Sequence, residues 1–139
     1  VKRNILRLLA DAGCDVEYHP RRSDPLRVAD RYFAPAELAA LRSLPPERQR
    51  ARFFTLWTLK EAYIKARSMG LAIPLGRFAF RVDDDETPRG VDFDDGFDDR
   101  ADRWWFARSE PTPTHALSLA WGAAGLRPTL RTHRLDALP

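Results

Sequence analysis

The sequence predicts an α+β fold, a small antiparallel sheet packed against one long helix, from three observations. Glu47 to about Met69 carries the longest helical pattern, with Phe53 or Phe54, Trp57, Glu61, Ile64 and Lys65 at helical spacing. One short alternating run precedes the helical patterns, and several strand-like runs follow them. Strands and helices are therefore segregated along the chain, which is the order of a sheet with helices set against it.

The elements follow in sequence order. Residues 1–12 read as a leader of unclear role, in which Asn4–Ala10 fits either a short helix or an edge strand; residues 13–139 form the domain. Gly13–Tyr18 alternates small or apolar residues with acidic ones, so it reads as a strand with Asp15 and Glu17 on one face. His19–Pro25 is a loop, and Leu26–Phe33 a short helix. A second helix opens at Ala34-Pro35, where a proline in the first turn loses no hydrogen bond. It runs to about Ser43 and stops at Pro45-Pro46. The long helix ends before Gly70, a natural C-terminal stop. Phe78–Val82, Trp104–Ala107 and Ala116–Trp121 read as strands, and a last strand is expected over Leu130–Leu135.

At 139 residues the chain is one domain with room for a core. An apolar fraction of 44%, with four Trp and eight Phe, excludes disorder throughout. Cys14 stands alone, so no disulfide framework exists and a reducing, cytoplasmic setting fits. No apolar run is long enough to span a membrane. The N-terminal segment lacks the apolar stretch of a signal peptide, and a start at Val1 suggests a processed, truncated or partial product. The net charge is +3, but it is unevenly spread. Residues 83–102 hold ten acidic and two basic side chains, a local charge of −8, and read as a solvated hairpin loop. The remaining 21 basic and ten acidic residues make a body of charge +11, suited to nucleic acid, a phosphorylated cofactor or an acidic protein.

Lysine is rare here: two of the three in the chain are Lys60 and Lys65, inside the apolar pattern of the long helix. Lysine is a compact point charge, unlike the flat fork of arginine, and suits phosphate. Taken alone, Asp15 and Glu17 are a solvated strand face, and Glu61 a partner for Lys65 one turn on. If the helix lies across the strand, Asp15, Glu17 and Glu61 instead form a cup of hard oxygen ligands suited to Mg²⁺. His19, His115 and His133 do not fall with Cys14 in a zinc spacing, and no glycine-rich phosphate loop is present.

The order and gap of two motifs carry a resemblance. Gly13-Cys14-Asp15-Val16-Glu17 and Trp57-Thr58-Leu59-Lys60-Glu61-Ala62-Tyr63-Ile64-Lys65, with Gly70-Leu71 after them, resemble the 4′-phosphopantetheinyl transferase superfamily. The likeness is to the C-terminal lobe of its two-lobed, surfactin-synthetase-activating type, and is close over residues 13–80. It implies transfer of the phosphopantetheine arm of coenzyme A to a serine of an apo carrier protein, with Mg²⁺, releasing 3′,5′-ADP. By motif position it implies Asp15, Glu17 and Glu61 as metal ligands and Lys65 on a pyrophosphate oxygen. Lys60 would support coenzyme A binding, and Glu37 stands at an acidic position near the site. The serine proton would pass to Glu61 or to a metal-bound hydroxide. Leu26, Val28, Tyr32 and Phe33 read equally as a carrier-docking patch or as core.

The chain departs from that pattern in carrying no counterpart of the N-terminal lobe, and in Ser68 where a glycine is common. It is therefore expected to self-associate or to need a missing N-terminal partner. The alternative is a non-catalytic lobe that binds coenzyme A or a carrier protein. A basic nucleic-acid-binding domain ranks below both, because the arginines are dispersed along the chain.

Overall fold

The computed structural model describes residues 11–19, 24–68, 70–123, 127–131 and 133. Among these, β1 (Asp11–Tyr18) leads to three helices, α1 (Pro25–Tyr32), α2 (Pro35–Ser43) and α3 (Pro46–Arg67). Four strands follow: β2 (Phe78–Val82), β3 (Pro88–Phe93), β4 (Trp104–Thr112) and β5 (His115–Gly122). The expected α+β class is the one observed.

Each helix start is set by local chemistry. Asp24 caps α1 by accepting from Leu26 N at 3.1 Å, and Pro25, Pro35 and Pro46 each open a helix where no N–H is needed. Helix α3 ends at Arg67, three residues before the expected glycine stop. Ser68, at φ 54°, takes the left-handed capping conformation itself.

The sheet order is β1-β5-β4, all antiparallel, with β2 and β3 as a separate hairpin. Register places Asp15 opposite Ser118 and Glu17 opposite Ala116, while Trp104 lies opposite Gly122. Helix α3 packs on the three-stranded sheet, mainly on β1 and β5, while its Lys60 and Tyr63 meet Phe78 of the hairpin, whose β3 lies against β4. That is why Phe53, Phe54, Leu56, Leu59, Ala62, Tyr63 and Ile64 are all buried on nearly every face of one helix. Tyr63 sits at the junction, its ring 4.9 Å from that of Phe78 and 5.0 Å from that of Trp104.

Several expectations change. Strand β1 begins at Asp11, so residues 11 and 12 belong to the sheet rather than to a leader; the segment Asn4–Ala10 lies outside the described residues. Strand β4 runs on to Thr112. Leu130, Arg131 and His133 show no strand, and the rest of the expected last strand lies outside the described residues.

The acidic stretch is not a solvated loop throughout. It contains β3, whose Val91 is buried, and Phe93 and Phe97 pack on the core. Its Asp99 accepts from Tyr63 Oη at 2.6 Å, from Trp104 Nε1 at 2.8 Å and from Arg67. Arg52 grips Glu86 through its Nε and donates to the Asp83 carbonyl at 2.7 Å. Basic residues of α3 thus dock the acidic segment. No helix among the described residues is long and apolar enough to cross a membrane.

Candidate active site

Strand alternation turns Asp15 and Glu17 inward, toward α3, while Cys14, Val16 and Tyr18 of β1 face outward and are exposed. Asp15 is buried, and its Oδ1 accepts from Lys65 Nζ at 2.5 Å. Its other oxygen, Oδ2, is buried with no hydrogen-bond partner. Behind it, Ser118 on β5 shares a 2.7 Å hydrogen bond with Thr58 of α3, locking strand to helix beside Asp15. Sequence reasoning passed over Ser118. Its signal was a lone hydroxyl at an inward position of an otherwise apolar strand.

Glu61 completes the group. Burial pushes its carboxyl above the usual range, the charges of Asp15 and Glu17 push the same way, and Lys65 opposes them. The hydrogen bond to Asp15 in turn holds the Lys65 ammonium above its ordinary value. Three carboxylates and one lysine therefore act on one another electrostatically across the β1–α3 contact.

That set offers a divalent cation hard oxygen donors, a buried orphan oxygen and mutual repulsion that a cation would relieve, so the residues fit Mg²⁺ chemically. The ligands are not drawn in, however: among the described residues no three His, Cys, Asp or Glu side chains converge as a closed metal set. Lys65 holds the Asp15 oxygen instead.

Glu37 and Lys60 lie elsewhere. Both side chains are fully buried, with Lys60 Nζ 2.7 Å from Glu37 Oε1. Lys60 also donates to the carbonyls of Leu75 at 2.7 Å and Phe78 at 2.6 Å, and sits 4.1 Å from the centre of the Phe78 ring. Glu37 accepts from the backbone N–H groups of Ala34 and Phe80, both at 3.0 Å. Burial drives the Glu37 carboxyl up and the Lys60 ammonium down, each opposed by its partner. Glu37 is expected from the sequence near the site and Lys60 in coenzyme A binding; the structure pairs the two with each other in the interior. They tie α2 and α3 to the start of β2, and neither reaches solvent.

The α1 patch divides. Phe33 is core, Leu26 and Val28 pack partly against it, and Tyr32 is exposed. Tyr32 and Trp57 meet edge to face at 6.0 Å, and Arg27, Val28, Asp30, Arg31 and Tyr32 border a cleft of about 570 Å³. His19 stacks on Phe54 at 4.9 Å, away from any metal-ligand cluster among the described residues.

The chain also resembles known proteins. The chain is 48% identical over 60 residues to the 4′-phosphopantetheinyl transferase HetI of Nostoc sp., covering 43% of this chain and 25% of that protein. It is 36% identical over 73 residues to a 4′-phosphopantetheinyl transferase of Bacillus subtilis, covering 52% and 32%. The matched segments thus span only about a quarter to a third of these relatives. In fold, the chain resembles the holo-[acyl-carrier-protein] synthase of Thermotoga maritima, with a TM-score of 0.66 at 21% identity over 82% of this chain and 63% of that one. It also resembles the holo-ACP-synthase of Plasmodium yoelii, with a TM-score of 0.56 at 12% identity over 84% and 95%. The family model of the 4′-phosphopantetheinyl transferase superfamily matches residues 11–120, most of the described structure, and the chain belongs to that superfamily.

Proposed function

We propose that this chain carries the phosphate-handling half of a 4′-phosphopantetheinyl transferase, moving the phosphopantetheine arm of coenzyme A to a serine of an apo acyl or peptidyl carrier protein and releasing 3′,5′-ADP. The observation that supports this reading is the Lys65–Asp15 contact between α3 and β1, with Glu61 under the charges of Asp15, Glu17 and Lys65. Asp15, Glu17 and Glu61 would hold Mg²⁺, whose charge would offset that of the pyrophosphate and the departing nucleotide oxygen. Lys65 is half-exposed, so its ammonium can turn from Asp15 to a phosphate oxygen and hold it. Glu61, raised by burial and then by the charges of Asp15 and Glu17, is the carboxylate best placed on chemical grounds to take the serine proton. Glu37 and Lys60 act through the fold and not on substrate, because both are shut off from solvent. The exposed edge of α1, with Arg27, Arg31 and Tyr32, suits an acidic carrier surface.

The chain spans about a quarter to a third of these relatives, and in this reading it acts together with a second lobe or with further copies of this chain. The second reading is a lobe that binds coenzyme A or carrier protein without turnover. A mass-spectrometric transfer assay separates the two. Gain of one phosphopantetheine on an apo carrier, abolished by EDTA, is the expected result. A folded chain that modifies none of several carriers would favour the binding reading.

A further inference from the structure

We infer that Gly13 is a positioning residue: with Ala62, Ala66 and Ala120 it forms a seam of small side chains that sets how closely the β1 carboxylates approach Glu61 and Lys65. The inference rests on reading Asp15, Glu17, Glu61 and Lys65 as a metal and phosphate site.

The glycine is not required by backbone conformation. The residues with positive φ among those described are Ser68, Glu86, Gly70, Gly90 and Gly96, and Gly13 is not one of them. Space requires it. A Cβ at position 13 would lie 2.0 Å from the Ala62 carbonyl oxygen and 2.5 Å from the Ala66 nitrogen. In an α-helix those atoms are the acceptor and donor of one i to i+4 hydrogen bond. The strand backbone therefore rests directly on a helical hydrogen bond, and neither atom can yield without loss of helix. Ala62 and Ala66 are buried, and Ala120, opposite Gly13 on β5, is buried too.

The functional residues are keyed to this seam. Asp15 lies two residues beyond Gly13 on the same strand face, while Glu61 and Lys65 immediately precede Ala62 and Ala66. One helical residue turns the chain by about 100°, so Glu61 and Lys65 flank the line of contact one turn apart. The width of the seam is then the width of the site. Adding one methyl group at position 13 would force the 2.0 Å approach out to an ordinary contact of at least 3.4 Å. A shift of about 1 Å can cost on the order of a hundredfold where groups must be aligned. Mg²⁺ demands oxygens at about 2.0–2.1 Å, whereas Ca²⁺ accepts about 2.3–2.6 Å and irregular geometry. A widened seam should therefore penalise Mg²⁺ more than Ca²⁺, which simple loss of stability does not do.

The test is calorimetric titration of the whole chain with Mg²⁺ and with Ca²⁺, alongside thermal melts. The variants are Gly13→Ala, Ala66→Ser, which enlarges the helix side of the seam by one atom, and Ala29→Gly as a core control remote from the seam. The expected result is at least a tenfold loss of Mg²⁺ affinity in folded Gly13→Ala, a smaller loss for Ca²⁺, the same direction in Ala66→Ser, and an unchanged ratio in Ala29→Gly. An unchanged Mg²⁺ to Ca²⁺ ratio in the seam variants that fold overturns the inference, and so does failure of both to fold, which would assign the seam to folding alone. A wild-type chain that binds neither ion overturns the metal reading beneath it, and the inference with it.

Discussion

Lys65 Nζ stands 2.5 Å from Asp15 Oδ1, joining helix α3 to strand β1 across fifty positions of sequence. The lysine is half-exposed and the aspartate buried. This contact defines what can be varied without loss of the fold. Removing the lysine leaves the buried Asp15 carboxylate without that donor, at a cost on the order of 1–3 kcal/mol. Lys65→Ala should therefore fold with a modestly lower melting temperature, while cutting phosphopantetheine transfer by about a hundredfold or more if its ammonium holds a phosphate oxygen. Melting curves and transfer rates on the same preparation check both halves; a Lys65→Ala chain with unaltered rate would remove the residue from the mechanism.

Loss of Lys60, five residues away and fully buried, should cost far more stability. Removing one partner of a buried ion pair strands the other, at a cost of about 3–5 kcal/mol. Lys60→Met would also orphan the carbonyls of Leu75 and Phe78. Urea unfolding should show most of the stability gone. A midpoint near that of the parent chain would contradict the buried pair.

The contrast between the two lysines was partly legible in the sequence. The motif gave residue types and spacing, but not which face of the helix each occupies. Helical rotation supplies that: Lys60 continues the line of Phe53, Leu56 and Tyr63, all buried, whereas Glu61 and Lys65 lie one step of about 100° around. Helix α2 and strand β2 match their expected spans because prolines punctuate them at Pro35, Pro45 and Pro74. The acidic segment was misread because its charge density outweighed three sparse signals, Val91, Phe93 and Phe97, which pack on the core. Partners as distant as Arg52 and Glu86, or Tyr63 and Asp99, leave no local trace in a single sequence.

Asp99 gives the segment a pH dependence. Burial works to raise its carboxyl, but hydrogen bonds from Tyr63, the Arg100 backbone, Arg67 and Trp104 prevail and hold it below the usual aspartate range. A depressed carboxylate contributes stability above its unfolded value and loses it as pH falls through the folded one. Trp104, one of its donors, should therefore report a fluorescence change on acidification below the ordinary aspartate range. Asp99→Asn should lack that step and be less stable at neutral pH, by about 1–3 kcal/mol for a buried charged hydrogen bond. The same acid transition in both proteins would exclude Asp99 as its source.

Glu61 carries the reverse sign. Burial and the charges of Asp15 and Glu17 raise its carboxyl, so the folded chain holds that proton more tightly than the unfolded chain does. Its contribution is favourable below the ordinary glutamate range and becomes a cost as pH rises through the folded value. Glu61→Gln should thus melt higher than the parent at neutral pH, by about 2–4 °C for a gain on the order of 0.5–1 kcal/mol, and the advantage should vanish in mild acid. Activity should move the other way, with Mg²⁺-dependent transfer abolished. Saturating Mg²⁺ at about 100 times its dissociation constant should stabilise the parent chain by about 2.7 kcal/mol and so reverse the order of melting temperatures. Differential scanning calorimetry at neutral and acid pH, with and without Mg²⁺, tests all three signs. A Glu61→Gln chain that is stabilised by Mg²⁺ as much as the parent would place the ion somewhere other than this cup.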